Sequence, residues 1–442
     1  MDFATSADPA VQRQLDRLGA LSPGADILGL ERITRLLARL GDPHLRLPPV
    51  LHVAGTNGKG STCAFLRAAI EAAGLTTHVY SSPHLVRFNE RIRLAGTLIA
   101  DDQLAQLLGE VLDVGGDIGA SFFEITTAAA FLAFARVPAD ACIIEVGLGG
   151  RLDATNVLPD PIATAIAQLG IDHQSFLGDT LPQIAAEKAG IAKPGVPLVT
   201  MAYPPEIADV VGRFVQTVAA PVFAQGSAWD YAVAEGELHY RDGAGEVATP
   251  LPALAGPHQP GNLALAIAML RRQHVLAIPD EALATAARTA HWPARMQHLS
   301  AGPLLGLLPQ GADLWLDGGH NANAAEAVSA ATATIAANRP LHLVLGMLEN
   351  KDAETMIARF APLATSLTAV PIPGHPHHAP VALTRLAAAR GIATVGAASD
   401  TRTALGMIAG RSDPRGAPPV VLILGSLYLA GMVLLANDEL PD

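Results

Sequence analysis

The sequence carries little charge, few aromatic side chains and almost no cysteine. Charged residues are 16% and aromatic residues 4% of the 442 positions. Acidic residues outnumber basic ones 41 to 29, giving a formal net charge of −12. That balance lacks the basic face on which nucleic-acid binding depends, so no nucleic-acid partner is expected. Anionic small molecules stay open as ligands, because local groups hold them and net charge does not. The two cysteines, Cys63 and Cys142, lie far apart in apolar surroundings. Such a pair builds neither a disulfide framework nor a zinc site, and a reducing cytoplasm is the expected compartment. Asp2 and Asp8 fall in an N-terminus with no apolar core segment, so no signal peptide is expected. No repeat or low-complexity tract is evident.

One uncharged run, 420–436, approaches the length that spans a bilayer. Its first five residues are β-branched and leucine, Gly425-Ser426 then breaks the pattern, and a helix can start at Leu427. That reads as a buried strand feeding a helix, and no membrane partner is expected.

Hydrophobic residues are abundant, at 50%. Length and apolar content together allow roughly two or three domains with sizeable cores. Short apolar runs alternate with helical patterns almost throughout. Strands are predicted over 50–54, 78–81, 141–146, 162–168, 198–201, 314–317, 341–345, 367–370 and 420–424. Helices between them include 62–73, 181–189, 323–337 and 382–389. This alternation implies parallel sheets with helices on both faces. Residues 228–248 are polar, glycine-containing and alternating, like a small hairpin on an edge. The Pro- and Gly-rich stretch 293–311 reads as a boundary. The expected architecture is α/β throughout: a larger N-terminal domain over 1–296, a linker near 295–310, and a smaller C-terminal domain over 297–442.

The segment Leu51-His-Val-Ala-Gly-Thr-Asn-Gly-Lys-Gly-Ser-Thr62 sets a strand, a glycine-rich turn and a helix in order. Glycines let backbone N–H groups turn in around phosphate oxygens. The helix N-terminus adds partial positive charge, and Lys59 can reach the terminal phosphates. Gly60 separates Lys59 from the hydroxyls of Ser61 and Thr62, unlike the common P-loop.

The predicted strand 141–146 contains Glu145, where a carboxylate points into the crevice in which α/β proteins bind ligands. The strand before it leads to Ser82-Pro-His-Leu85, and the one after leads to Gly170-Ile-Asp-His173. A further helix carries Glu187-Lys188-Ala-Gly190. Magnesium prefers oxygen ligands, water and substrate phosphates, which suits Glu145 and the Ser82 hydroxyl. Taken alone, His173 reads as a packing histidine and Lys188 as a surface lysine.

Together these segments resemble the Mur-ligase superfamily and, within it, the folylpolyglutamate synthase and dihydrofolate synthase family. The resemblance spans nearly the whole chain. It rests on Leu28-Gly-Leu-Glu-Arg32, Gly55-Thr-Asn-Gly-Lys-Gly-Ser61, Tyr80-Ser-Ser-Pro-His-Leu85, Glu145-Val-Gly-Leu-Gly-Gly-Arg-Leu-Asp-Ala-Thr-Asn156, Asp172-His173, Glu187-Lys-Ala-Gly-Ile191, Asp317-Gly-Gly-His-Asn321 and Gly346-Met-Leu-Glu-Asn-Lys-Asp352. It implies an N-terminal P-loop parallel-sheet domain and a smaller Rossmann-like C-terminal domain.

The resemblance also implies roles. Thr56, Asn57, Gly58, Lys59, Gly60 and Ser61 would hold the ATP phosphates, with Asn262, Arg295 and Asp317 on the nucleotide. Ser82 and Glu145 would bind one magnesium. Glu145, His173 and Lys188 would bind a second, Lys188 through a carbamate. A buried lysine can lose its proton and add carbon dioxide, which turns a repelling ammonium into an anionic oxygen ligand. His320 would lie near the γ-phosphate and glutamate. Ile27, Leu28, Gly29, Leu30, Ser121, Phe122, Phe123, Glu124, Leu152, Asp153 and Ala154 would line the pterin site. On composition alone Phe122 and Phe123 read equally well as core. The sequence departs from the family pattern at Ala322, where Pro is usual, at Ala294, where Gly is usual, and at Asn350, where Asp is usual.

The activity implied is an ATP- and magnesium-dependent ligase of folate biosynthesis and one-carbon metabolism, acting through an acyl phosphate. Its substrates would be dihydropteroate, reduced folates and L-glutamate, with a monovalent cation as a further candidate cofactor and a monomer as the expected state. The alternatives are a folylpolyglutamate synthase without dihydropteroate activity, a UDP-sugar peptide ligase and a P-loop NTPase that ligates nothing. A UDP-binding domain is expected to need more chain than precedes residue 55.

Overall fold

The computed structural model describes residues 5–21 and 28–442. They divide into two compact units. The first comprises the chain up to Ala253, Gln259–His291 and Asp442; the second comprises Leu254–His258 and Trp292–Pro441.

The first unit opens with helices α1 (Pro9–Leu21) and α2 (Glu31–Arg39). Strand β1 (Val50–Ala54) feeds α3 (Lys59–Ala72), followed by β2 (Thr77–Tyr80), β3 (Ile92–Leu94) and β4 (Thr97–Leu98). Next come α4 (Asp101–Gly115), α5 (Phe122–Arg136), β5 (Ala141–Glu145), β6 (Ala163–Ile166), α6 (Gln174–Leu177), α7 (Leu181–Ala189), β7 (Leu198–Thr200), α8 (Pro205–Val218) and β8 (Val222–Ala224). These strands form one sheet in the order β4-β3-β2-β5-β1-β6-β7-β8. From β2 to β8 every neighbour is parallel. Strands β1 and β5 are buried at every residue, as helices on both faces require of apolar runs in a parallel sheet. On one face Val11, Leu36, Leu108 and Phe131 of α1, α2, α4 and α5 pack on Cys142 and Ile144. The register carries the same face from Ile144 through His52 and Thr164 to Leu198, and farther along it Ala185, Ala189, Ile207 and Val211 of α7 and α8 pack on Ile166 and Leu198.

Residues 228–248 depart from the expected hairpin. The stretch forms three strands, β9 (Trp229–Ala234), β10 (Glu237–Asp242) and β11 (Gly245–Pro250), in an antiparallel sheet of their own. Glu235 and Gly236 both have positive φ, the two-residue turn geometry that matches the twist of a hairpin. A second tight turn at 243–244 adds the third strand, which composition did not separate from the second. Helices α9 (Gln259–Arg272) and α10 (Asp280–Thr289) complete this unit.

The second unit holds β12 (Gln297–His298), β13 (Asp313–Leu316), α11 (Ala322–Ala336), β14 (Leu341–Leu345), α12 (Ala353–Phe360), β15 (Ser366–Ala369), α13 (Pro380–Ala389), β16 (Thr394–Ala397), α14 (Thr401–Ala409), β17 (Val420–Leu424) and α15 (Leu427–Ala436). Its sheet runs β12-β13-β17-β14-β15-β16, parallel except for β12 against β13. Residues 295–310, read in the sequence as a linker, therefore contribute an edge strand to this sheet. Their prolines and glycines mark turns inside the unit. The uncharged run 420–436 is β17, a turn at Gly425-Ser426 and α15. No helix among the described residues is long and apolar enough to cross a membrane.

Candidate active site

Sheet order places the site. β2, β5, β1 and β6 are consecutive and parallel, so their C-terminal ends share one edge. Ser82 follows β2, Glu145 ends β5, the glycine loop follows β1, and Asp172-His173 follow β6.

The glycine loop is anchored before it reaches any ligand. The N–H groups of Thr56 and Asn57 both donate to the Gln168 carbonyl, at 2.9 and 3.1 Å. The Thr56 hydroxyl donates to the Gly170 carbonyl at 3.0 Å. A Cβ on Gly55 would stand 2.9 Å from that of Ala167, so glycine allows this close approach. Gly58, at φ +85°, is the left-handed cap of α3 and faces the side-chain oxygen of Asn262. Thr62 N–H donates to the Gly58 carbonyl. Lys59, Gly60 and Ser61 form the first turn of α3, where N–H groups have no carbonyl of their own helix. Phosphates would meet donors there, while Thr56 and Asn57 hold the loop in place through their backbone.

Glu145 is buried, and its Oε2 accepts the Ser82 N–H at 3.4 Å. Lys188 is only 5% exposed and so is no surface lysine. Its Nζ donates to the Gly55 carbonyl at 2.9 Å. Burial, with the charge of Lys59 adding, lowers its pKa to about 7, against an opposite pull from Asp172 and Asp153. Burial also pushes the Cys63 thiol well up, and the Glu145 and Lys59 charges both act on it. These couplings gather Lys59, Glu145, Lys188 and Asp172 around the start of α3. His173 is exposed, at φ +52°, immediately before α6, and its N–H donates to the Asp172 carboxylate.

No group of three or more His, Cys, Asp or Glu side chains among the described residues forms a ready metal cage. Magnesium does not demand one, since it keeps waters and takes substrate phosphates. The buried Glu145 carboxylate beside Ser82 suits that habit, as does a lysine able to become an anionic ligand. Glu145→Ala is expected to lose magnesium-dependent turnover. Ser82→Ala should only weaken magnesium, because a water can replace a hydroxyl and the Ser82 N–H still holds Glu145. Equal losses in magnesium titrations of the two variants would contradict this order.

The 147–156 loop is sewn to the end of α7. Arg151 N–H donates to the Glu187 carbonyl at 2.7 Å, and its guanidinium pairs with the Glu187 carboxylate at 2.8 Å. Asn156 Nδ2 donates to the Gly190 carbonyl at 2.9 Å. Gly190 lies against Arg151 so closely that any side chain there would collide with it. Asp153 is buried and turned into its own loop. It accepts from Leu148 N–H at 2.8 Å, from Thr155 N–H at 2.9 Å and from the Thr155 hydroxyl at 2.5 Å. Burial holds its carboxyl above the ordinary range, against the pull of these bonds. Thr155 in turn meets His52 of β1, whose pKa burial drives down to about 3, with Lys193 adding. Leu152 is half-buried and Ala154 buried beside it.

Ser121 caps α5, and its capping box with Glu124 fixes the helix start. Phe122 and Phe123 are each half-buried, so neither reading of them is discarded: part of each ring is core and part is open. Phe123 sets the tip of its ring against Gly147, with its centroid 5.9 Å from that of Tyr80. Glu124 is buried; Oε2 accepts from Ser121 N–H at 2.7 Å and pairs with Arg32 at 2.9 Å, while Oε1 has no hydrogen-bond partner. Leu28, Gly29 and Leu30 are half-buried just before α2. Ile27 lies outside the described residues. Two charged groups here had no role in the sequence reading. Arg32 lies in the Leu28–Arg32 motif, and its pairing with Glu124 spans 92 residues, so no local pattern marks it. Buried Arg91, whose guanidinium stacks over Phe88 and Phe122 and donates to His84 at 2.8 Å, has no sequence signal that sets it apart from its charged neighbours Arg87, Glu90 and Arg93.

In the second unit, Asp317 follows β13 and is buried. It accepts from Met296 N–H at 2.8 Å and Gly319 N–H at 2.6 Å, pinning the turn that carries Arg295. His258 lies in the field of both Asp317 and Arg295. His320 donates through Nδ1 to the Gly318 carbonyl at 2.8 Å, and Asn321 caps α11. Ala294 sits at φ +54°, a left-handed conformation that favours the glycine usual in the family.

Three comparisons bear on this arrangement. Residues 295–427 match the Mur ligase, glutamate ligase domain. A dihydrofolate synthase/folylpolyglutamate synthase of Bacillus subtilis is 36% identical over 354 residues, covering 77% of this chain and 80% of that one. Among solved structures, E. coli FolC in complex with DHPP and ADP gives a TM-score of 0.87 at 30% identity, covering 98% of both chains. A bifunctional folylpolyglutamate synthase/dihydrofolate synthase with Mn, AMPPNP and L-glutamate bound gives 0.82 at 30% identity, covering 98% of this chain and 99% of that one.

Proposed function

This chain belongs to the dihydrofolate synthase/folylpolyglutamate synthase family, and from that premise we propose how its residues carry the reaction. It is an ATP-dependent ligase that forms an amide between a pterin carboxylate and L-glutamate. We assign it both substrates: dihydropteroate, giving dihydrofolate, and reduced folates, giving polyglutamates. The observation that supports the ligase assignment best is the shared edge holding the glycine loop, Glu145 and buried Lys188; the double substrate assignment rests on the bifunctional relatives.

A carboxylate is a poor acylating agent because its leaving group would be oxide. Transfer of the γ-phosphoryl group to the carboxylate makes an acyl phosphate, and the glutamate amine then displaces phosphate. The first-turn N–H groups of α3 and the Lys59 ammonium are assigned to the phosphates, where they offset the charge spread over the γ-phosphoryl oxygens. Ser82, Glu145, His173 and a carbamate on Lys188 are the assigned magnesium ligands. Bound magnesium supplies charge neutralisation and alignment of the phosphates.

Asn262, Arg295 and Asp317 are assigned to the nucleotide and His320 to the glutamate end. The pterin assignment keeps Leu28, Gly29, Leu30, Ser121, Leu152 and Ala154 as lining and the exposed parts of Phe122 and Phe123 as stacking surface. Among its described residues, Glu124 Oε1 is the one buried side-chain acceptor without a partner, which suits a ring N–H or amino group. Asp153, whose oxygens serve its own loop, is assigned to holding that loop. A cytoplasmic location is proposed from the two buried, unpaired thiols.

ADP release by the purified chain, with glutamate and either dihydropteroate or tetrahydrofolate, tests the double assignment. Activity with both is expected. Activity with tetrahydrofolate alone would leave a folylpolyglutamate synthase.

A further inference from the structure

Gln259 has no part in the roles assigned above, yet it is fully buried at the first position of α9. Buried amides of this kind need partners at both ends. Its Nε2 donates to Ser61 Oγ at 3.3 Å, across 198 residues of sequence. Its Oε1 accepts from Asn262 Nδ2 at 3.0 Å. Asn262 is three residues along the same helix, hence on the same face. The Asn262 side-chain oxygen in turn lies against the left-handed Gly58, where no Cβ would fit. Ser61, Gln259, Asn262 and Gly58 thus form a chain of contacts from the first turn of α3 back to its cap.

We propose that Gln259 is a positioning residue of the phosphate loop: its amide donates to Ser61 and so turns the Ser61 hydroxyl proton toward the nucleotide phosphates. The chemistry is a matter of donor count. A serine hydroxyl has one proton and two lone pairs. Because Asn262 occupies Gln259 Oε1, the side facing Ser61 is the NH2 group, and Ser61 must accept from it. The hydroxyl proton is then directed elsewhere. Its neighbours in the first turn of α3 are the N–H groups of Lys59 and Gly60, which also need an acceptor. A phosphate oxygen serves all three.

This inference rests on the ATP assignment of the loop, and the experiment separates the two. Gln259→Met keeps the side-chain length and removes both hydrogen bonds. Loss of one such bond should raise the KM for ATP about tenfold, leave the KM for glutamate unchanged and alter kcat little. Ser61→Ala should raise the KM for ATP by about the same factor, and the double variant by no more than either alone, because Gln259 acts through Ser61. Effects that multiply to about a hundredfold in the double variant would overturn the proposal, since independent sites add in free energy. So would a folded Gln259→Met protein with an unchanged KM for ATP.

If Gln259→Met does not fold, Gln259→Glu gives the same test. Its carboxylate still accepts from Asn262 but claims the Ser61 proton, so the KM for ATP rises at least as far. An unchanged KM in that variant overturns the proposal. Failure of the ATP assignment itself looks different: Lys59→Ala would then turn over ATP like the unaltered chain.

Discussion

Lys188→Ala will be folded and inactive, with kcat reduced at least about a hundredfold, the scale on which a disturbed metal site fails. The side chain is buried, bonds only to the Gly55 carbonyl among the contacts resolved for it, and has its pKa drawn down to about 7. A neutral amine at that position can add carbon dioxide and release a proton, leaving a carbamate oxygen as an anionic ligand. Short carboxylic acids should restore part of the activity of Lys188→Ala by supplying that oxygen. Incubation with 13C-labelled bicarbonate should give a carbamate carbon resonance that Lys188→Ala lacks. Absence of the resonance from fully active enzyme would falsify the carbamate.

The same burial predicts a stability effect of known sign. The folded pKa of about 7 lies below the ordinary lysine value of 10.5. The cost of burying the charged form is therefore full below about pH 7 and shrinks as pH rises toward the unfolded value. Lys188→Met should be at least as stable as the parent at pH 7, with the gain fading between about pH 7 and pH 10.5 and absent above. Lost activity without lost stability would place Lys188 in the chemistry and not in the core.

Lys59→Ala is expected to lower kcat/KM on the order of a thousandfold, the scale of removing one group that stabilises transition-state charge. It opens α3 and is only half-buried, so the fold should survive. Lys59→Arg should not rescue, because a planar fork does not replace a compact ammonium in a tight loop. A coupled effect follows from the geometry. The Lys59 charge is one of the influences holding the Lys188 pKa down, so its removal raises that pKa. The carbamate signal in Lys59→Ala should then need higher pH or more bicarbonate. Near-parental turnover by folded Lys59→Ala would contradict the phosphate-loop assignment.

Strands buried on both faces were legible in the sequence because they are unbroken apolar runs. β1, β14 and β17 match their predicted ranges to the residue, and β2, β5, β6, β7, β13 and β15 to within about two; the strands at or next to the sheet edges, β3, β4, β8, β12 and β16, have no such run. The edge carrying Ser82, the glycine loop, Glu145 and Asp172 was legible for the same reason: each polar group follows such a run. The start of α3 was placed three residues late, because the left-handed cap at Gly58 depends on backbone geometry that a helical pattern does not encode. Residues 254–258 belong to the second unit although 259–291 return to the first, an interruption that no local pattern marks. Gln259 carries no local signal because Ser61 is 198 residues away, and Arg91 carries none because it stands among other charged residues. The resemblance puts Asp153 at the pterin site, and no sequence pattern marks what its oxygens bind within its own loop. Only the structure shows both of its oxygens already engaged by Leu148 and Thr155.

The central claim is that the pterin carboxylate is activated as an acyl phosphate before glutamate attacks. Dihydropteroate with both carboxylate oxygens labelled by 18O, incubated with the purified chain, ATP, magnesium and glutamate, tests it directly. One labelled oxygen should appear in inorganic phosphate and one in the new amide for each dihydrofolate formed. Unlabelled phosphate beside labelled product would contradict the account.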